Sequence, residues 1–308
     1  MLIRPAFSAV ERISVGCRNF QRLRFHTIEA YTTLSHLHCP SLETTKKAVM
    51  SDSDAVQFYR KNGYLQLPRF FTRVETTALR SALDKVIAGN RPRLIGEDRA
   101  HSEGFTRVFK QLINLWIDHP EIRKFTYDPR LAEIARNLSE AGHVSLYHDQ
   151  ALIKSGGEHS RATNWHQDAP YYPMEQPGAL SAWIAVDDVT EENGCMQFIP
   201  GSHAYGRLES VPFDIEGASV LENVVTNGDV IEEDPVVMEM EAGGVTFHHG
   251  CTFHYASPNR TEDPRRAFTV IYVPDYVTYD GNWAAGGSDD LEIGKPFKGK
   301  HYPVLATA

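Results

Sequence analysis

Beyond Gly142 the chain turns into short β-branched and aromatic runs, each closed by Gly, Pro or Asn. The runs are "VSLYHDQALIK", "GALSAWIAVDDV", "GCMQFIP", "GGVTFHHG", "CTFHYAS" and "RAFTVIYVP". Segments of this length and composition are strands, and their frequent interruption points to an antiparallel arrangement. Upstream the texture is helical. "DAVQFYRKNGYLQLP" reads as a short helix stopped at Asn62-Gly63 and followed by a strand. Thr72 and Glu75 form a capping box for a helix that continues through Leu79, Leu83 and Val86 to Gly89. A third helix starts at Asp128-Pro129, with Asp as cap and Pro in the first turn, and carries Leu131, Ile134 and Leu138. Helices first and many short strands after them predict a mainly β fold, a jelly roll with flanking helices. "DYVTYDGNWAAGGSDD" reads as a flexible loop near the C-terminus.

At 308 residues, one large domain with a sizeable core is affordable. Apolar runs of the ~18–20 residues a membrane helix needs are absent from the sequence. A net charge of −9 argues against a nucleic-acid partner. Four cysteines without a C-x-x-C pair suit a reducing compartment and supply no disulfide framework. Charge is uneven: residues 1–49 hold seven Lys/Arg against three Glu, leaving 24 basic and 37 acidic residues for the rest. That arginine-bearing, acid-poor start reads as an extension, either a transit peptide or a disordered segment, outside a single domain at 50–308.

Within "NWHQDAPYYP", His166 and Asp168 stand two positions apart. If they share a strand, both side chains point to one side, ~6–7 Å apart along it, and can converge on one ion. Two imidazoles and a carboxylate on one face of an octahedron leave three positions open, the arrangement of non-haem Fe(II) oxygenases. Candidates for the third ligand lie in "FHHGCTFHYASPNRTEDPRRAF": His248, His249 and His254. Eleven residues after His254 comes Arg265, whose planar fork suits a carboxylate.

From "FYRKNGYLQLPRFF" to "AFTVIYVPD", about residues 55–275, the chain resembles the phytanoyl-CoA dioxygenase family of Fe(II)/2-oxoglutarate-dependent oxygenases. The blocks "WHQDAPYYP", "AWIAVDDVTEENGCMQFIPGSH" and "HYASPNRTEDPRRAF" carry the resemblance. It implies a double-stranded β-helix, with iron ligands at His166, Asp168 and His254 and a 2-oxoglutarate anchor at Arg265. Trp183, Gln150 and Lys154 fall near positions that line the co-substrate in relatives. Fe(II), 2-oxoglutarate and O2 are the implied cofactors, and a small organic molecule the implied substrate, hydroxylated as succinate and CO2 are released. Asp168 speaks against halogenation, since chloride-installing relatives have a small residue there. One departure stands out: the family's serine two residues after the distal histidine is Ala256 here, with Ser257 one later.

Blander readings apply to several neighbours. His248, His249, His148 and His203 read as packing or supporting residues, and "PGSH" as a tight turn. "VDDVTEENG" lacks the spacing of a calcium loop and reads as a solvated turn. Trp165, Tyr171 and Tyr172 line the pocket or fill the core, with Tyr171 favoured for the pocket. Arg91 and Arg93 either meet an anionic substrate or are solvated. Two other classes share the fold: a cupin-like metalloenzyme without 2-oxoglutarate, and a non-catalytic binding module. The C-terminal "ATA" is no peroxisomal tripeptide, so cytoplasm or mitochondrion is expected.

Overall fold

A computed structural model describes residues 52–89, 110–157, 160–208 and 234–308. The extension at 1–49, and Arg91 and Arg93, lie outside the described residues. Four of the expected features appear at the front of the domain. Helix α1 (Asp52–Asn62) stops before Gly63 and strand β1 (Tyr64–Leu67) follows. Gly63 has φ +78°, and a Cβ there would stand 2.5 Å from both His203 Nδ1 and Thr252 Oγ1, so both the turn and the packing require glycine. Helix α2 (Arg73–Ala88) has the capping box: Thr72 N–H donates to Glu75 Oε2 at 2.7 Å, and Glu75 N–H to Thr72 Oγ1 at 3.3 Å. Losing such a cap costs about 1 kcal/mol.

Strand β2 (Lys110–Ile113) leads into two short helices that have no expected counterpart, α3 (Leu115–Asp118) and α4 (Pro120–Thr126). Helix α5 (Pro129–Ser139) begins as read, with the Asp128 carboxylate accepting the Arg130 N–H at 2.9 Å. The strands then run β3 (His143–Lys154), β4 (Thr163–His166), β5 (Leu180–Ala185), β6 (Met196–Phe198), β7 (Val236–Met238), β8 (Val245–His249), β9 (His254–Ala256), β10 (Arg265–Pro274) and β11 (Val304–Thr307).

Among the described residues all strand pairs are antiparallel. Among the described residues they make a seven-stranded sheet ordered β1-β8-β5-β10-β3-β11, with β2 also on β3, and a four-stranded sheet ordered β4-β9-β6-β7. This is the expected jelly roll. Side-chain alternation divides the large sheet into two faces. Leu180, Ala182 and Ile184 of β5, Phe268, Val270 and Tyr272 of β10, and Val245 and Phe247 of β8 pack with Leu79, Leu83, Leu131 and Leu138 of the helices. The alternate residues, Trp183, Ala185 and Ala267, meet Met196, Phe198, Met238 and Ala256 of the small sheet. With both faces covered, β5 is buried at every position. No helix among the described residues is long and apolar enough to cross a membrane.

The loop expected to be flexible does not behave as one. Val277, Tyr279, Ala284 and Ala285 are at most 4% exposed and pack with Tyr147, Phe297 and Tyr302. Apolar side chains hold this irregular backbone in place although it forms no ladder. The acidic loop is also less solvated than expected, because Asp187 pairs with Arg266 (2.9 Å) and Arg80 (3.1 Å).

Candidate active site

His166 ends β4 and stands directly opposite His254, which begins β9; their ring centroids are 4.0 Å apart. Asp168 reaches the pair differently from the sequence expectation. The strand stops at His166, and Asp168 takes a helical backbone conformation (φ −78°, ψ −38°) at the entry to a short turn over Ala169–Tyr171. The chain therefore folds the carboxylate toward the imidazoles, where a continuing strand would carry it past them. Gln167 between them points away, donating from its side chain to Gly206 O and Cys251 O, both at 2.8 Å.

Asp168 Oδ1 lies 3.8 Å from His166 Nε2 and 3.6 Å from His254 Nε2. One ligand atom from each of the three residues falls within 4.8 Å of the others, so the group could hold a metal ion. Each imidazole has its tautomer fixed. His166 Nδ1–H donates to Asn164 O (2.7 Å) and His254 Nδ1–H to Thr252 O (2.9 Å), since a carbonyl only accepts. Nε2 is thereby left as a lone-pair donor, which is what metal ligation needs. Burial lowers the pKa of both rings, which favours the neutral, metal-ligating form. Burial alone would raise Asp168, but His254, His248 and His166 around it outweigh that and hold it well below the usual carboxylate range. Its other oxygen is held by the Ser181 hydroxyl at 3.1 Å and by His248 Nε2 at 3.3 Å.

The remaining histidines separate clearly. His248 supports Asp168. His249 accepts the Cys251 N–H at 3.0 Å and packs near His203, away from the trio. His148, read as structural, lines the cavity. It gets there by ordinary alternation with Gln150, Leu152 and Lys154; just beyond it a β-bulge, where Ile271 pairs with His148 and Tyr272 with Leu146, leaves Tyr147 as the extra residue.

The trio opens into a cavity of about 280 Å³, which Arg265, Trp183, Gln150 and Lys154 also line. Arg265 is 4% exposed; it donates to Gly194 O at 3.0 Å, lies 5.4 Å over the Trp183 ring, and its Nε has no partner. Burial pushes its pKa down to about 10. Adjacent Arg266 points to the opposite face and pairs with Asp187 and Asp84 (2.9 and 2.6 Å). Lys154 Nζ lies within 3.3 Å of four oxygens, of Arg161, Thr163, Ala256 and Ser257, and burial and then Arg265 push it down to about 6. Gln150 accepts from Gln111 at 2.5 Å. Ala256 contributes only a methyl group, and Ser257 does not replace the missing hydroxyl, because its Oγ–H donates to Glu191 O at 2.8 Å. Tyr171 and Tyr172 line the cavity, whereas Trp165 stacks on Tyr255 at 5.3 Å. Sequence reasoning missed Tyr147, Thr269, Trp283 and Ala285, all of which line it.

Comparison with known proteins bears on the family and the fold. The family model for phytanoyl-CoA dioxygenase matches residues 59–267. A phytanoyl-CoA dioxygenase domain-containing protein 1 homolog of Dictyostelium discoideum is 24% identical, covering 80% of this chain and 98% of its own length. Phytanoyl-CoA dioxygenase domain-containing protein 1 of Mus musculus is 32% identical over 53% of this chain and 57% of its own. The crystal structure of the epimerase SnoN in complex with Fe3+, alpha ketoglutarate and nogalamycin RO superposes with a TM-score of 0.67 at 26% identity, covering 83% of this chain and 98% of that one. The chain belongs to the phytanoyl-CoA dioxygenase family of Fe(II)/2-oxoglutarate-dependent oxygenases.

Proposed function

We propose that this enzyme oxidises a C–H bond of a small organic substrate, with His166, Asp168 and His254 holding ferrous iron and Arg265 anchoring 2-oxoglutarate. One observation carries the reading: a two-imidazole, one-carboxylate trio shares a cavity with a buried arginine that forms no ion pair with a carboxylate among the described residues. Two neutral nitrogens and one carboxylate suit a divalent ion, and three ligands leave room for further donors. When bound, iron and 2-oxoglutarate together supply oxidative decarboxylation with O2, giving succinate and CO2 and the oxidising power for C–H cleavage.

The protein residues supply position and exclusion. Ser181 and His248 fix the Asp168 carboxylate, and Asn164 and Thr252 fix the imidazoles. Arg265 offers a charge whose cost of burial a carboxylate would offset. Tyr147, His148, Tyr171 and Tyr172 give the metal side of the cavity a mainly aromatic wall without a formal charge, where a compact substrate can be held. Hydroxylation is the favoured outcome, and Asp168 disfavours halogenation by occupying the position chloride would need.

A cupin-like enzyme would have no use for an unneutralised Arg265, and a non-catalytic module none for tautomer-fixed imidazoles. The test is succinate formation from 2-oxoglutarate during incubation with a metabolite panel. Dependence on added Fe(II), and an oxygenated product from one panel member, supports the reading. Iron-loaded protein that oxidises a substrate without consuming 2-oxoglutarate would overturn it in favour of the cupin-like class.

A further inference from the structure

Alternation along β10 puts Arg265, Ala267, Thr269 and Ile271 on the cavity face. Thr269 is 2% exposed and lines the cavity, and its Oγ1 has no hydrogen-bond partner. Its register partners, Gln150 and Trp183, line the cavity as well. Two positions further along, Ile271 stands opposite Ser181, whose hydroxyl holds Asp168. In the other direction lies Arg265, with its guanidinium over the ring of Trp183. Thr269 therefore occupies the row between the metal trio and the arginine. A ligand that bridges the two must pass it.

Other polar side chains in this part of the cavity already have hydrogen-bond partners. The Lys154 ammonium is surrounded by four oxygens, one of them the Thr163 hydroxyl. Gln150 takes up a hydrogen bond from Gln111, Ala256 has no polar side-chain atom, and the Ser257 hydroxyl is turned to Glu191. Among the residues that line the cavity, Arg265 Nε and Thr269 Oγ1 are buried without a partner, as are the Nδ1 atoms of His148 and His248 on the metal side. A buried hydroxyl left unpaired destabilises a fold, so one facing a cavity calls for an acceptor from outside the chain.

Resting on the function proposed above, we infer that the Thr269 hydroxyl donates a hydrogen bond to a carboxylate oxygen of 2-oxoglutarate, making Thr269 a second co-substrate-binding residue beside Arg265. The contact forms only in the complex. In the free protein the hydroxyl is a liability, and valine, nearly the same shape, removes it.

The experiment uses the full chain loaded with Mn(II) in place of iron. It measures 2-oxoglutarate affinity by calorimetry, and thermal unfolding with and without 2-oxoglutarate. Thr269→Val is expected to weaken 2-oxoglutarate binding roughly tenfold or more, as loss of a hydrogen bond to a charged acceptor does. The unfolding temperature without 2-oxoglutarate should stay the same or rise, and Mn(II) affinity should not change. Thr269→Ser keeps the hydroxyl and should bind 2-oxoglutarate within about twofold of the unsubstituted chain. Wild-type-like affinity in Thr269→Val overturns the inference. So does a fall in unfolding temperature in Thr269→Val that Thr269→Ser avoids, because the hydroxyl would then already be satisfied within the protein. If Thr269→Val does not fold, Thr269→Ala compared with Thr269→Ser decides by the same affinity criterion. Failure of the unsubstituted, Mn(II)-loaded chain to bind 2-oxoglutarate would remove the proposed function and this inference with it. Binding that needs Arg265 but not Thr269 would remove this inference alone.

Discussion

Replacing Arg265 by Gln separates two energies of opposite sign. In the free protein the guanidinium is buried with one carbonyl partner and an unpartnered Nε, and its pKa falls to about 10. That depression is a burial penalty of roughly 3 kcal/mol. The unfolded chain keeps the ordinary, higher pKa, so the penalty is fully present at any pH below about 10 and fades only above it. Glutamine avoids it but gives up some packing of the aliphatic stem against Trp183. The unfolding temperature should therefore hold or rise. Loss of a buried charge-assisted contact to 2-oxoglutarate costs roughly 2–5 kcal/mol, which weakens affinity about thirtyfold or more. Calorimetric titration of 2-oxoglutarate into metal-loaded, oxygen-free protein measures the second term, and thermal unfolding the first. Arg266→Gln is the internal control: it breaks the pairs with Asp187 and Asp84, so it should lower the unfolding temperature and leave affinity unchanged. Wild-type affinity in Arg265→Gln, or weakened affinity in Arg266→Gln alone, would refute the assignment of the anchor.

His254→Ala should abolish stoichiometric Fe(II) binding, whereas His249→Ala should retain it, because His249 is occupied with the Cys251 N–H; metal titration distinguishes them. His248→Phe removes the 3.3 Å contact to Asp168 Oδ2 and should weaken metal binding about 10–100-fold in a competition assay. Unchanged metal affinity there would leave His248 as mere packing against Phe198. The stability that His148 and His249 contribute to the metal-free protein should be lost as pH falls from about 6.5 to 4, against an opposing gain from Asp149, whose pKa burial raises to about 7. Burial holds His148 and His249 down to about 4, so the unfolded state takes up protons first in that window. Each histidine accounts for up to roughly 3 kcal/mol, and the double variant His148→Gln/His249→Gln should lose less stability than the unsubstituted protein between pH 6.5 and 4.

The features legible in the sequence were those specified by neighbouring residues. Thr72 and Glu75 announce α2, Asp128-Pro129 announces α5, and the strand runs around His254 and Arg265 announce the elements that hold them. What escaped depends on distant residues. Helix α3 has no side-chain cap of its own; the Asp149 carboxylate, from β3, accepts its Leu115 and Trp116 N–H groups at 2.7 and 3.0 Å. The turn that delivers Asp168 to the imidazoles ties Ala169 N–H to Gly250 O at 2.8 Å, a contact invisible from the local sequence. Tyr147 reaches the cavity only because of a bulge, and Thr269 looks like any threonine in an apolar strand until the cavity beside it is seen. The segment containing Trp283 and Ala285 has the composition of a solvated loop, and packing by Tyr147, Phe297 and Tyr302 overrides it.

The central claim is that one cavity brings iron and 2-oxoglutarate together, and a single-turnover experiment tests it most directly. Full-length protein loaded with Fe(II) and 2-oxoglutarate without oxygen is exposed to O2, and succinate is counted per iron. The account predicts succinate approaching one equivalent per iron-loaded molecule, and none from His254→Ala. Iron oxidised while 2-oxoglutarate remains intact, or equal succinate from His254→Ala, would contradict it.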